Sequence, residues 1–203
     1  MKKTSGNTKK VKNALHTGAG DNGTTTLFDC QQGRISKSAL LIEALGSVDE
    51  LNAYLGVVKV YSNIDKLSIK VGNNKKLYSQ IIEEIQNNLF TIQAELGGSK
   101  MFIDKKELIK IEKIISEISK VLPPITAFTI SGGSIISSGL DFARTLARKS
   151  ERRVVSVVNE RSRIINPNTI AYMNRLSSVL FAVSRYANYL FSIPEEHPNY
   201  NKI

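Results

Sequence analysis

Residues 144–153 read Arg144-Thr-Leu-Ala-Arg-Lys-Ser-Glu-Arg-Arg153, and five of these ten side chains are cationic. At about 100° per helical residue, Arg144, Arg148, Glu151 and Arg152 share one face. Ala143, Ala147, Ser150, Val154 and Val157 form the opposite face, small and apolar. The spacing therefore predicts a helix that buries one side and presents a guanidinium cluster on the other. Planar guanidinium forks bind phosphate oxygens two at a time, so the cluster suits a polyphosphate. A solvated basic face, with Glu151 as its internal ion-pair partner, fits the same spacing.

Working outward, Ser134 is an N-cap candidate for this helix, which is predicted to run to about Ile164. Asn166-Pro167 then supplies an N-cap and a first helical position. The last helix carries a heptad seam of Met173, Leu176, Leu180, Val183, Ala187 and Leu190 and stops before Pro194. Upstream, apolar residues recur at helical spacing from Ser38 to Ser62, with Gly46 and Gly56 read as points of close packing. Residues 63–75 read as a polar connection. A second stripe from Leu77 to Leu96 ends at Gly97-Gly98. A third helix opens on an Asp104/Glu107 capping box and closes at Pro123-Pro124. Five helices, with no convincing strand pair, predict an all-α five-helix bundle with short connections. The expected organisation is a disordered basic tail over residues 1–15, one helical domain over 16–193, and a C-terminal tail over 194–203.

Composition narrows the function classes. The formal net charge of +10 favours an anionic partner. Half of that charge comes from Lys2, Lys3, Lys9, Lys10 and Lys12 in the leading tail. Without a helix-turn-helix or an aromatic stacking platform, the chain does not read as a nucleic-acid binder. No apolar run reaches the ~18 residues that span a membrane. One cysteine and two histidines argue against a thiolate or histidine metal site.

Four further segments carry candidate chemistry. His16-Thr-Gly-Ala-Gly-Asp-Asn-Gly-Thr-Thr25 can point backbone N–H groups at an anion, and equally can be a flexible glycine-rich lead-in. Gly46-Ser-Val-Asp-Glu-Leu-Asn52 places Asp49 mid-helix, where it is either solvated or paired with an arginine of another helix or chain. In Phe128-Thr-Ile-Ser-Gly-Gly-Ser134 the Gly-Gly step suits close backbone approach to a ligand, while Phe128 by itself reads as a core residue. Asn174, Ser178, Phe181, Arg185 and Asn188 form a stripe opposite the heptad seam.

In this order, the segments Gly20–Thr25, Gly46–Asn52, Ser131–Gly133, Ala143–Thr145, Ser150–Arg153, Ile165–Pro167, Asn174–Ser177 and Arg185–Asn188 make the chain resemble the ATP:cob(I)alamin adenosyltransferases of the trimeric five-helix, propanediol-utilisation type. The resemblance implies transfer of the 5′-deoxyadenosyl group of ATP to the cobalt of cob(I)alamin, with release of triphosphate. It implies Arg144, Arg148 and Phe128 as catalytic residues. The implied ATP contacts are His16, Thr17, Gly18, Gly20, Gly23, Thr24, Thr25, Lys37, Arg144, Arg148, Glu151, Arg152 and Asn174, with Glu151 orienting the arginines or binding nucleotide. Cobalamin contacts would be Phe128, Ser131, Gly132 and Gly133, with Phe128 beneath the corrin ring in place of the lower axial ligand. Asp49 and Arg144 would pair across a subunit boundary. Mg²⁺ would be held through the ATP phosphates and not by a protein metal site.

As partners the resemblance implies two more copies of the chain, a flavin or flavodoxin reductase, and an adenosylcobalamin-dependent enzyme, but neither nucleic acid nor membrane. The implied location is cytoplasmic, or mitochondrial for a eukaryotic source. Four positions depart from the family pattern: Gly18 for a lysine, Ser131 for a proline, Asp141 for a histidine and Lys149 for an arginine. The altered lead-in loop motivates a second reading, a non-catalytic ATP- and cobalamin-binding carrier of the same fold.

Overall fold

The computed structural model describes residue 16, residues 18–29 and residues 33–200. The leading tail through residue 15, Thr17 and residues 201–203 lie outside the described residues. Five helices form the body: α1 (Leu40–Ile64), α2 (Tyr78–Leu96), α3 (Lys105–Ser119), α4 (Ile135–Asn159) and α5 (Pro167–Leu190). Helix α4 packs against both α1 and α5, α2 lies on α1, and α3 lies on α5. Among the described residues no helix is long and apolar enough to cross a membrane.

The small stripe of α4 allows this arrangement. Ala143, Ala147, Ser150, Val154 and Val157 are all buried. Ser150 donates its hydroxyl to the Ser47 carbonyl of α1 at 2.7 Å, so the two backbones lie close. Higher up, a Cβ added to Gly139 would stand 3.0 Å from Val58 of α1. The close approach expected at Gly46 is absent, since Gly46 faces open space, while Gly56 meets the end of Gln86 at ordinary contact distance.

Two hairpins replace expected loops. Strands β1 (Thr24–Thr26) and β2 (Arg34–Ser36) pair antiparallel, as do β3 (Ser68–Val71) and β4 (Asn74–Leu77). In the second hairpin Val71 faces Asn74 across a two-residue turn in which Gly72 takes φ +63°. The polar connection is therefore a hairpin whose Ile69 is buried in the core. Leu77 belongs to its last strand, and Tyr78 opens the buried stripe of α2, donating its hydroxyl to the Val183 carbonyl at 3.1 Å.

Helix ends follow local chemistry. Ser134, Asp104 and Asn166 each accept a backbone N–H of the first turn. Glu107 does not close a capping box; it pairs with Lys110 and accepts from Asn88. Helix α4 ends at Asn159, five residues short of the expected Ile164. There Arg161 turns left-handed at φ 54°, and Ser162 N–H reaches back to the Val157 carbonyl at 3.1 Å. Helix α5 closes the same way on Ser192, leaving Leu190, the last seam residue, on the surface.

One buried acid locks α2 to α5. Glu95 accepts from Asn166 N–H at 2.6 Å and from the Thr169 hydroxyl at 2.6 Å, and that hydroxyl accepts from Ile103 N–H at 3.2 Å. Replacing Glu95 with Ala strands both donors in the core, so Glu95→Ala is expected to lower stability by roughly 3 kcal/mol. Urea titration of the variant beside the parent chain measures this, and a loss under about 1 kcal/mol would contradict the lock.

Candidate functional site

The candidate face is built by α4, by the stripe of α5 opposite its seam, and by the loop over residues 123–133. A cleft of about 350 Å³ opens among Ile125, Phe128, Arg144, Arg148, Ser178 and Phe181. Phe128 is 79% exposed, so the core placement expected from its residue type is corrected. Loop backbone passes outside the bundle here and carries the ring into the cleft. Arg144 and Arg148, one helical turn apart, line the same cleft.

Arg144 is bracketed and incompletely bonded. Its Nε lies 3.8 Å from Asp141 Oδ1, its guanidinium sits 5.7 Å from the Phe181 ring centroid, and its Nε is buried without a hydrogen-bond partner. Among the described residues neither Arg148 nor Arg152 forms an ion pair. Lys149 and Arg153 leave that stripe to pair with Glu50 and Glu43 of α1. The lysine at position 149 thus faces the neighbouring helix and not the cleft.

Glu151 does not pair with an arginine. It accepts from Asn174 Nδ2 at 2.9 Å, joining α4 to α5 beside the cationic stripe. The Arg175 guanidinium donates to Asn174 Oδ1 at 2.7 Å and is paired with Glu112.

The Gly-Gly step is fixed from three directions. Asn188 of α5 accepts from Ser134 N–H at 3.0 Å and donates to the Gly132 carbonyl at 2.9 Å. Gly133 lies so close to Asn188 that an added Cβ would stand 2.5 Å from it, and its φ of +100° also calls for glycine. Ser137 donates to the Gly132 carbonyl, and Asp141 accepts from Gly132 N–H at 3.3 Å. Ser131 is exposed beside them.

The glycine-rich lead-in lies on the other flank of the bundle. Lys37 Nζ donates to the Gly20 carbonyl at 2.8 Å, and Arg34 donates to the Thr24 hydroxyl at 2.6 Å, to the Thr24 carbonyl at 2.9 Å and to the Ala19 carbonyl. Arg34 escaped the sequence reading because nothing in its spacing marks it. Gly18 and Gly23 have φ of +69° and +76°. His16 is exposed. Thr25, Thr26, Gly46 and Asp49 line a shallow groove there, and Asp49 accepts from Gln93 of α2 at 3.1 Å. Asp49 therefore looks toward α2 and Arg144 toward α5, and they do not meet within one chain. Among the described residues no three His, Cys, Asp or Glu side chains converge as a metal site.

Comparison with known proteins supplies a family. Residues 15–187 match the model of the cobalamin adenosyltransferase family. The chain is 36% identical over 179 residues to the corrinoid adenosyltransferase PduO of Citrobacter freundii, a match that covers 85% of this chain and 49% of that protein. The chain thus spans about half the length of that relative. It is 30% identical over 185 residues to the corrinoid adenosyltransferase of Mycobacterium leprae, covering 86% of this chain and 91% of that one. A solved single-residue variant of a PduO-type ATP:corrinoid adenosyltransferase from Lactobacillus reuteri, complexed with cobalamin and ATP, matches with a TM-score of 0.79 at 29% identity, over 92% of this chain and 97% of that chain.

Burial pushes the Asp141 carboxyl above the usual carboxylate range, against the opposing pull of Ser184, Gly132 N–H and Arg144. A raised carboxyl binds its proton more tightly folded than unfolded, so stability falls as pH climbs from about 4 through the folded value and is level beyond it. Asp141→Asn keeps an acceptor for Gly132 and removes the titration. The stability gap between variant and parent is expected to grow in the variant's favour across that window. Urea midpoints measured against pH test the sign, and a gap independent of pH would refute it.

Proposed function

From its membership of the cobalamin adenosyltransferase family, to which the chain belongs, we propose that it transfers the 5′-deoxyadenosyl group of ATP to the cobalt of a reduced corrinoid. The observation that carries this reading is the cleft that sets an exposed Phe128 ring against Arg144 and Arg148. A flat apolar face beside two guanidiniums suits a planar macrocycle next to a polyphosphate. The Co(I) electron pair forms a bond to the 5′ carbon, the C5′–O bond breaks with its pair, and triphosphate departs as cobalt becomes Co(III). Negative charge develops on the leaving oxygen, and fixed guanidiniums beside it stabilise that charge without reorganising. Arg144, Arg148 and Arg152 take this role. The Glu151–Asn174 pair offers polar edges to the nucleotide. Mg²⁺ held through the phosphates would add charge neutralisation.

The nucleotide site is completed between chains. The lead-in loop with Lys37 and Asp49 lies on one flank, and the arginines lie on the other. A neighbouring chain's Asp49 pairs with the outward edge of the Arg144 guanidinium, since its Nε is buried beside Asp141. An exposed apolar face formed by Val57, Tyr61, Ile135 and the Tyr54–Phe142 edge pair suits burial against further copies, in a homotrimer. Phe128, beside Ser131, Gly132 and Gly133, lies beneath the corrin ring and excludes a lower axial ligand. That lowers the energy of the orbital which accepts an electron on going from Co(II) to Co(I), the electron coming from a flavin or flavodoxin reductase. The product passes to an adenosylcobalamin-dependent enzyme, and the expected setting is the cytoplasm.

Mixing the chain with ATP, Mg²⁺ and chemically reduced cob(I)alamin without oxygen should give the adenosylcobalamin spectrum and one triphosphate per turnover. Binding of both substrates with no conversion would favour the carrier reading. Phe128→Ala is expected to leave ATP affinity within about twofold and to slow turnover from cob(II)alamin by at least about tenfold. Unchanged turnover would remove the ring from the chemistry. Arg144→Ala and Asp49→Ala should each impair activity and couple by more than about 1 kcal/mol in a double-mutant cycle. Additive losses would separate the two residues.

A further inference from the structure

The Phe128 ring has little packing of its own, yet a ring that is to shield one face of a macrocycle must be held in place. What holds it is backbone hydrogen bonding from an unexpected source. Beyond α5, residues 193–197 fold back along the 123–133 loop. Ile130 N–H donates to the Glu196 carbonyl at 2.8 Å, and His197 Nδ1 lies 2.9 Å from the Phe128 carbonyl. Arg185 of α5 joins both partners of this contact. Its Nη2 donates to the Pro123 carbonyl at 3.1 Å, where the loop begins, and its Nε is paired with Glu195 of the returning segment. The Arg185 guanidinium also lies 5.9 Å from the Phe181 ring centroid, and Phe181 lines the cleft beside Phe128. The Arg185 and Glu195 side chains of the pair are 10% and 28% exposed, so the charges meet in a largely desolvated place.

The Gly132 end of the loop is fixed by Asn188, Ser137 and Asp141. Among the described residues, the hydrogen bonds of the stretch from Pro123 to Ile130 run only to Arg185 and to the returning segment. We infer that the segment Ile193–His197 is a positioning strap for the corrinoid side of the site, and that Arg185 is the positioning residue that ties it to the loop. The strap acts through Phe128, touching neither ATP nor the arginine stripe. The inference rests on the reading of Phe128 as the ring beneath the corrinoid.

The test compares the parent chain with a chain ending at Pro194, with Arg185→Gln, Glu195→Gln and Phe128→Ala, and with Phe128→Ala in the shortened chain. Three quantities are read: ATP affinity, turnover from preformed cob(I)alamin, and turnover from cob(II)alamin with reduced flavin as electron donor. Paramagnetic resonance of cob(II)alamin with ATP adds the share of the ion that has lost its lower ligand. Shortening and Arg185→Gln are expected to keep ATP affinity and cob(I)alamin turnover within about twofold. Both should cut cob(II)alamin turnover at least about tenfold and erase the signal of the ion without a lower ligand. Glu195→Gln, which can still accept from Arg185, should retain most of both. Shortening a chain that already carries Phe128→Ala should cost nothing further, because the strap works through that ring. A shortened chain with parental cob(II)alamin turnover and resonance overturns the strap. So does an equal loss of ATP affinity, melting temperature and both turnovers, which marks a general structural role. Failure of the parent chain to adenosylate cob(I)alamin, or of Phe128→Ala to slow cob(II)alamin turnover, instead overturns the reading beneath it.

Discussion

Helix α4 has to do two incompatible things, and the molecule is arranged around the compromise. It must lie close to α1 and α5, because among the described residues it is the only helix with extensive contacts to both. It must also keep three arginines of one face in reach of solvent. A helix with large apolar residues would hold its neighbours at the wider end of the usual 8–10 Å spacing. Ala143, Ala147, Ser150 and Gly139 instead let α1 approach until side chains of one helix bond to the backbone of the other. Little circumference is then spent on burial, and the rest remains for Arg144, Arg148 and Arg152. The residues that could spoil the stripe, Lys149 and Arg153, are drawn off by acids of α1.

The same economy governs α5. Its seam fills the core, and its opposite stripe carries site residues in sequence: Asn174 at Glu151, Ser178 and Phe181 on the cleft, Arg185 at the loop base, Asn188 on the Gly-Gly step. Each step is three or four residues, so each falls one turn further along the same side. A single helix thereby sets the Glu151–Asn174 pair, the cleft wall and the 123–133 loop at fixed spacing, which the proposed reading assigns to nucleotide and corrinoid. Rigid spacing of this kind is what a reaction between two separately bound substrates requires, because small displacements cost rate steeply.

The five helices were legible because their apolar periodicity is strong and three of their N-caps are polar residues with capping chemistry. The errors have physical causes. The end of α4 is hidden in the sequence because its C-terminal left-handed position is Arg161, where a glycine announces a stop. The β3–β4 hairpin looks like a loop in sequence because its lysines mask a short alternation at Ile69 and Val71, although Gly72-Asn73 is a turn signal. Residue type places Phe128 in the core, and only the motif around it points outward. Side-chain spacing marks neither Arg34 nor the returning strap, since most of their bonds go to backbone carbonyls and the rest, to the Thr24 hydroxyl and between Arg185 and Glu195, follow no period.

The arginine stripe also explains why the free chain is an incomplete object. Like charges one turn apart on a helix repel, by roughly 0.2–0.5 kcal/mol per pair when exposed to water. Arg144 adds a buried Nε without an acceptor, a deficit of about 1–3 kcal/mol for an ordinary polar group. Evolution could remove both costs with one glutamate on the cleft side of α4. Of the two acids on that stripe, Asp141 stands beside Arg144 alone, and Glu151 is held by Asn174 and kept from neutralising Arg148 and Arg152. A cationic surface that is prevented from satisfying itself gains most when a polyanion arrives. Under the proposed reading, the repulsion within the stripe is relieved when ATP is bound, and the relief grows as the departing triphosphate gains charge.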